Sequence, residues 1–163
     1  LRRMALANDI VASYRRPGEI LRRRLGPPER AEARALVTVM LACFLIFVAQ
    51  WPRLSREAAL TGQELNMLLA GAMLGWLFVA PLVLYGIAGV SHLVARSVGG
   101  HATYTEARMA LFWALLAAAP LWLFWGLVAG FVGPGPALDA VGILALLAFL
   151  GLWAGGLYAV ERA

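Results

Sequence analysis

The feature that most constrains the fold is a run of 29 residues, 66–94, that contains no charged side chain. As a helix rising ~1.5 Å per residue, this run would extend roughly 44 Å, more than the ~30 Å hydrocarbon core of a bilayer. The composition agrees, because 62% of the 163 residues are hydrophobic and 14% are charged. A soluble domain carries about 25% charged residues. We therefore expect an integral membrane protein with one domain of four or five spans.

Four apolar segments are predicted to cross the membrane. They are residues 35–51, 66–94, 109–132 and 137–160. Pro52 directly follows the first segment, so we expect the first membrane helix to end there. Thr61 and Glu64 have the spacing of a capping box, so the second helix is expected to begin near Gly62.

The third span has a predicted capped start and a proline near its middle. Thr103 and Glu106 again have capping-box spacing, and Pro120 lies about half-way along the apolar run. Proline is tolerated in membrane helices, and the part before it is too short to cross alone. A single span is therefore favoured over a hairpin split at Pro120, which would place the C-terminus on the opposite side.

Residues 1–27 form a basic, amphipathic segment ahead of the membrane domain at residues 28–163. Pro17 is expected to open a short helix and Gly26 to end it. Such a segment can lie in the headgroup plane with its cationic side chains on anionic lipid. The arginines predicted to contact headgroups are Arg15, Arg16, Arg22, Arg23 and Arg24.

The distribution of arginine predicts the orientation. All 14 basic residues are arginines, and with four spans 12 of them lie on the side shared by the two termini and 2 on the other. Since positive residues accumulate on the cytoplasmic side, both termini are expected in the cytoplasm. The use of arginine without lysine, together with the high alanine and glycine content, is typical of a GC-rich bacterial genome. The predicted location is therefore a bacterial inner membrane.

Side chains that carry chemistry are sparse in the predicted spans. These spans contain no Asp, Glu, Lys or Arg, whereas ion-coupled transporters place ionisable groups at membrane depth. His92 and His101 are close in sequence but remote from Cys43, which makes zinc or haem ligation improbable. Ser91 and His92 are adjacent on a helix and point apart. We predict no enzyme activity, metal or cofactor, and no nucleic-acid partner, because no recognition fold is present.

The positive signal in the spans is helix packing. Glycines four residues apart let helix backbones approach closely in membranes. The three pairs with this spacing are Gly71 and Gly75, Gly126 and Gly130, and Gly151 and Gly155. They predict a compact bundle in which these helices contact each other, with contact to a foreign helix as the alternative.

Aromatic residues are concentrated in the third span. The simpler interpretation is packing at the lipid surface and the membrane interface. The sharper one is a docking face for another membrane protein or for a pigment, quinone or lipid. The docking candidates are Trp113, Trp122 and Trp125, together with His92 and Arg96 near the end of the second helix.

Two stretches resemble the bacterial members of the Yip family, relatives of the Rab-interacting membrane proteins of the secretory pathway. One is SHLVARSVGGHATYTEARMALFWALLAAAPLWLF, residues 91–124, and the other is SYRRPGEILRRRLG, residues 13–26. The likeness in the first stretch is carried by Gly99, Gly100, Tyr104 and Pro120. It implies a multi-span helical domain with a cytoplasmic N-terminus. Eukaryotic relatives usually have five spans and a longer region that contacts Rab GTPases, so the resemblance does not extend to GTPase binding here.

The expected fold class is all-α, a polytopic membrane helix bundle of four transmembrane helices with an N-terminal amphipathic in-plane helix. The predicted function is that of a non-enzymatic scaffold or organising protein, in a specific form an accessory subunit of a larger respiratory or photosynthetic complex. Its expected partners are a bilayer with anionic headgroups and other membrane proteins. One alternative is a small-solute or lipid transporter, for which Pro81 and Pro120 would break helices near the midplane. Another is a regulator of membrane shape or trafficking that acts through the N-terminal helix.

Overall fold

The described part of the chain, residues 2–161, folds into seven α-helices. The computed structural model describes residues 2–161, except for the side chains of residues 2–5 and 28. The helices are α1 (Arg2–Ser13), α2 (Pro17–Leu25), α3 (Ala31–Thr61), α4 (Leu65–Ser97), α5 (Tyr104–Ala117), α6 (Ala119–Phe131) and α7 (Pro136–Glu161). No β-strand occurs between residues 2 and 161, and the all-helical class predicted from the sequence is confirmed.

Three helices, α3, α4 and α7, are each long and apolar enough to cross a membrane. The shorter α5 and α6 pass the same test together, because they follow each other across a break at Ala118 and are bent by 43°. The described chain therefore has three candidate spans, or four if the bent pair forms one span.

The helix α3 and the α5–α6 pair run in the same direction. Near the start of both, the Thr105 hydroxyl donates a hydrogen bond to the Glu32 carboxylate at 2.8 Å. Farther along, Gly130 of α6 lies against Pro52 of α3. These two contacts fix the register of the central pair.

The helices α4 and α7 run in the opposite direction. The Tyr104 hydroxyl, at the start of α5, donates to the carbonyl of Tyr85 in the second half of α4 at 3.2 Å. The Ala102 N–H donates to the carboxylate of Glu161, at the end of α7, at 3.1 Å. We call the end where α3 and α5 begin the N-terminal end, and the opposite one the far end.

The most buried helix is α5, and not the helix that contains the long uncharged run. Residues 107–117 are all buried, because α5 contacts α1, α2, α3, α4 and α7. In α4, all of whose residues are described, only Pro81 and Ala88 are buried. The uniform apolarity of α4 therefore suits a helix whose outer surface meets acyl chains rather than a protein core.

The prediction that Pro52 ends the first membrane helix is wrong. The helix α3 continues through Pro52 to Thr61. A proline removes one hydrogen bond from the ladder, but here the following turn is fixed by packing. Leu54 is 4% exposed, and Arg56 Nη1 donates to the Gly130 carbonyl at 3.4 Å.

The predicted capping box at Thr61 and Glu64 is also wrong. The Thr61 hydroxyl donates to the carbonyl of Glu57 within α3, at 2.7 Å. Gly62 ends α3 in the left-handed conformation with φ of 74°, which glycine adopts without steric cost. The next helix begins at Leu65, three residues later than expected.

The predicted capped start of the third span is confirmed, and its middle is bent. Thr103 caps α5 by accepting a hydrogen bond from the Glu106 N–H at 3.2 Å, as the spacing predicted. The helix begins at Tyr104, directly after this cap, so it includes Arg108 ahead of the apolar run predicted at residues 109–132. The 43° bend after α5 is a change of direction and not the chain reversal of a hairpin.

Candidate functional site

The bundle is open along one side, between α4 and α7. The helix α4 packs against α3 and α5, and α7 packs against α2, α5 and α6, but α4 and α7 share no extended interface. An apolar groove of about 1000 Å³ separates them. Its walls belong to residues 83–98, in and directly after α4, and to residues 150–157 of α7. We call this space the α4–α7 groove.

A second space, of about 870 Å³, adjoins the groove towards the far end. The two spaces share Val83, Ile87 and Trp153 as lining residues. Four tryptophans line the second space, namely Trp76, Trp122, Trp125 and Trp153. We call it the Trp cavity. The shared lining residues make it continuous with the groove.

Two irregularities in the helices shape the Trp cavity. The helix α6 leaves the direction of α5 by 43°, and α4 contains a π-helical turn at Gly75–Val79. Pro120 lies two residues after the break at Ala118, and Pro81 two residues after the end of the π turn. Neither proline has an N–H to continue the regular hydrogen-bond ladder. Because π turns occur frequently at functional sites, this turn on the cavity wall supports the cavity as a candidate site.

The Trp cavity is apolar except for a few polar groups. The indole nitrogens of Trp122 and Trp153 are buried, and neither has a hydrogen-bond partner among the described residues. Gln50 is 8% exposed, and its side-chain oxygen accepts a hydrogen bond from Arg53 Nε at 2.9 Å. An apolar space with a few convergent polar groups is the usual form of a site for a small apolar molecule.

The break between α5 and α6 is supported by the N-terminal segment. At the break, the Leu121 N–H bonds to the carbonyl of Ala118 at 3.0 Å. The Ala117 carbonyl instead accepts a hydrogen bond from the Tyr14 hydroxyl at 2.8 Å. Burial raises the pKa of the Tyr14 phenol above its ordinary value, so the phenol stays a neutral donor.

A buried contact joins α1 to α5. Trp113 Nε1 donates to the Ser13 hydroxyl at 2.8 Å, and that hydroxyl donates to the Asp9 carbonyl at 2.7 Å. Ser13 and Trp113 are 0% and 3% exposed. Trp113, predicted as a docking residue, is therefore a core residue that a partner cannot reach. The sequence carried no signal for this pair, because the two residues are 100 positions apart.

The apolar residues of α2 face the bundle. Ile20 and Leu21 are 4% and 1% exposed, and Leu21 lies beside Gly156 of α7. The first two helices are therefore packed on the membrane domain rather than separate from it.

The five arginines predicted to contact headgroups have different environments. Arg23 and Arg24 both form ion pairs with Asp9, and Arg22 donates to the Ala159 carbonyl at 2.8 Å. Arg15 and Arg16 are exposed. Of the five, these last two project most freely from the bundle. Arg2, Arg3 and Arg162, which entered the orientation count, lie outside the described side chains.

The other docking candidates lie at two separate places. Trp122 and Trp125 line the Trp cavity. His92 and Arg96 lie at the N-terminal end, where the His92 ring contacts the Tyr104 ring at 5.7 Å between centroids. Arg96 is exposed. The structure therefore does not bring the five candidates together into one docking face.

Two of the six predicted packing glycines lie directly against α3. A Cβ atom added to Gly126 would overlap the main chain of Ala49, and one added to Gly130 would overlap Pro52. Close approach of α6 to α3 therefore requires glycine at both positions.

The other four glycines are less enclosed. A Cβ on Gly155 would lie 3.0 Å from the Pro17 ring. At Gly71, Gly75 and Gly151, no described atom lies within 4 Å of an added Cβ. The mutual helix contact expected at these three is not made within residues 2–161, because α4 and the outer face of α7 have no neighbour there.

An ion pair that the sequence did not predict lies at the N-terminal end. Arg108 is 8% exposed, forms an ion pair with Glu32, and lies over the ring of Tyr104 at 4.2 Å. The sequence does not predict this pair, because the apolar run of the third span begins at residue 109, one position after Arg108. The Thr103 cap does place Arg108 about one turn into the helix, and this position is the one sequence signal that the arginine lies within the bundle.

No family model, curated protein or solved structure matches the chain. The resemblance to the Yip family therefore stays a prediction. The functional interpretation depends on the open side of the bundle and on the groups that line it.

Proposed function

We propose that the chain is a non-enzymatic scaffold or organising protein of a bacterial inner membrane, and that a transmembrane helix of another membrane protein occupies the α4–α7 groove. The observation that supports this is the lack of an interface between α4 and α7 in an otherwise packed bundle. In this proposal α5 and α6 together form one of four spans, both termini are cytoplasmic, and α1 and α2 lie at headgroup level.

The walls of the groove suit a helix as the occupant. Gly86 and Ala95 of α4 and Ala154 of α7 line it, and small residues let helix backbones approach closely in membranes. A Cβ on Gly86 would meet no described atom, so the glycine is not needed for packing inside this chain. A partner helix would use the space that this glycine leaves.

In its specific form the proposal makes the chain an accessory subunit of a larger respiratory or photosynthetic complex. Its support is the large apolar surface that α4 leaves exposed, including Phe78, Leu82 and Val90 at 62%, 74% and 62%. Such a surface is suited to lateral assembly within a membrane.

Purification in mild detergent tests the proposal. The wild-type chain should co-purify with a defined membrane protein, and Gly86→Leu should lose that protein while the chain itself stays folded. Gly151→Leu is the matched control, because it adds the same side chain to an open position that does not line the groove. A chain that migrates only by itself, or a partner that Gly86→Leu retains in full, would contradict the proposal.

A second candidate function is binding or transport of a lipid-like molecule in the Trp cavity. The observation that favours it is the pair of buried indole donors, Trp122 and Trp153, without partners in the described chain. An amphiphile with an acceptor such as a carbonyl would bond to them and could enter through the groove. Trp122→Phe should then reduce flux into liposomes, and Asn66→Ala, at an exposed position away from the cavity, should not. Flux no greater than that of empty liposomes would eliminate this candidate.

A role in membrane shape through α1 and α2 has less support. The apolar residues Ile20 and Leu21 pack inside the bundle, so they are not available for insertion into a lipid surface. Deleting residues 5–25 and measuring vesicle curvature would test this role, with unchanged curvature as the result that the packing favours.

A further inference from the structure

A third space lies at the N-terminal end, between α1, α3 and α5, apart from the groove and the Trp cavity. Its volume is about 670 Å³, and three arginines line it, namely Arg24, Arg30 and Arg34. Leu6 of α1, Thr38 of α3, and apolar residues of α3 and α5 line the remainder. We propose that this arginine pocket binds an anionic phospholipid of the surrounding membrane, with the phosphate on the arginines. The site does not depend on a partner in the groove.

Two of the guanidinium groups are fixed in position. Arg34 Nη1 donates to the main-chain carbonyl of Arg24 at 3.4 Å, and the same guanidinium covers Gly26. The guanidinium of Arg24 lies over the ring of Trp113, 5.0 Å from its centroid. Planar guanidinium groups held in this way are suited to bind a phosphate through paired hydrogen bonds.

The positive charge of the arginine pocket is only partly neutralised. Asp9 forms ion pairs with Arg24, at 2.5 Å, and with Arg23. Neither Arg30 nor Arg34 forms an ion pair with any described residue. The Nε atom of Arg24 is buried and has no hydrogen-bond partner in the described part of the chain. A phosphodiester would supply both the missing charge and the missing acceptor.

The apolar side of the pocket favours a lipid over a soluble phosphate. Val37 and Leu41 line it one and two turns beyond Arg34 on α3, a helix long enough to cross a membrane. Leu41 is therefore about 10 Å from Arg34 along the helix axis. A phospholipid has this arrangement, an anionic headgroup followed by an acyl chain, and basic pockets beside membrane helices bind such headgroups.

The proposal differs from a general attraction of the N-terminal arginines to anionic lipid. Arg30 and Arg34 belong to the chain just before and within α3, and only Arg24 was among the predicted headgroup contacts. Arg15 and Arg16 carry the same charge but do not line the pocket. Comparing substitutions of Arg30 and Arg34 with substitutions of Arg15 and Arg16 therefore distinguishes binding at a defined site from general charge attraction.

Native mass spectrometry of the full chain in neutral detergent tests the proposal. Phosphatidylglycerol and phosphatidylcholine with the same acyl chains are added in equal amounts. The wild type should retain phosphatidylglycerol, and the double variant Arg30→Gln with Arg34→Gln should retain at least about tenfold less. The control is Arg15→Gln with Arg16→Gln, which should retain as much as the wild type. Val37→Trp fills the apolar side, keeps all three arginines, and should also reduce retention.

Three results would overturn the proposal. One is undiminished retention by the Arg30→Gln and Arg34→Gln variant with an unchanged unfolding temperature. Another is an equal loss in both double variants, which would indicate general charge attraction. The third is displacement of the lipid by inorganic phosphate at the same concentration, which would indicate a site for phosphate alone.

Discussion

The Tyr14 hydroxyl donates a hydrogen bond of 2.8 Å to the main-chain carbonyl of Ala117, 103 residues further along the chain. The bond joins the arginine-rich N-terminal segment to the point where α5 ends and the chain bends. A buried carbonyl that a helix break leaves without its usual main-chain partner requires a donor from elsewhere in the protein, and Tyr14 supplies one. The N-terminal segment therefore helps to hold the bend that shapes the Trp cavity.

Tyr14→Phe should lower the free energy of unfolding by about 1–3 kcal/mol, because it leaves the Ala117 carbonyl without its donor. Thermal unfolding in detergent measures the change. Val11→Ala, at a position of α1 that is 70% exposed, is the control and should have little effect. An unfolding temperature of Tyr14→Phe equal to that of the wild type would contradict the role given to this bond.

The contribution of Tyr14 should also depend on pH. Burial raises the pKa of Tyr14 in the folded chain, so folding favours the neutral phenol. Its stabilisation is present in full below the unfolded pKa of about 10 and is lost as the pH rises through the higher folded pKa. The stability difference between the wild type and Tyr14→Phe should therefore be constant at neutral pH and shrink in alkaline solution. A stability difference between the wild type and Tyr14→Phe that grows as the pH rises would contradict the raised pKa.

Some local elements could be predicted because their causes lie within one helical turn. Thr103 caps α5 through the Glu106 N–H, Pro17 opens α2, and Gly26 ends it. The continuation of α3 through Pro52 could not be predicted, since it depends on packing against Gly130 in another helix. Capping residues act on their own turn, whereas a proline inside a helix is tolerated or not according to its neighbours.

The two glycine pairs in α4 and α6 should respond differently to substitution. Gly126→Leu should destabilise the bundle by about 1–3 kcal/mol or more, because its side chain would overlap the main chain of Ala49. Gly71→Leu faces open space and should stay within about 0.5 kcal/mol of the wild type. The unfolding temperatures of the two variants in the same detergent provide the comparison, and equal destabilisation would contradict the structure.

The ion pair at the N-terminal end can be tested in the same way. Glu32→Gln should lower the free energy of unfolding by about 0.5–1 kcal/mol, because Arg108 would lose its charged partner, while the Glu32 side chain is 61% exposed and solvent already screens the pair. Glu29→Gln is the matched control, since Glu29 is exposed and forms no ion pair among the described residues. If both variants unfold at the wild-type temperature, the pair does not stabilise the fold.

The candidate site could be predicted only in part. The concentration of aromatic residues in the third span predicts Trp122 and Trp125 as docking residues, and both line the Trp cavity. The same pattern predicts Trp113, which is buried in the core. Acyl chains are as apolar as a protein interior, so a uniformly apolar sequence does not distinguish the enclosed α5 from the exposed α4. The groove between α4 and α7 exists because α5 is enclosed and α4 is exposed. This arrangement is visible only in the three-dimensional structure.

The most direct test of the proposed scaffold function is site-specific photo-crosslinking in native membranes. A photoreactive residue at Val90, on the wall of the α4–α7 groove, should give a protein adduct of one defined mass. The same residue at Leu147, which is 62% exposed and lines neither space, should react with lipid alone. Lipid adducts only, from both positions, would contradict the occupation of the groove by a helix of another membrane protein.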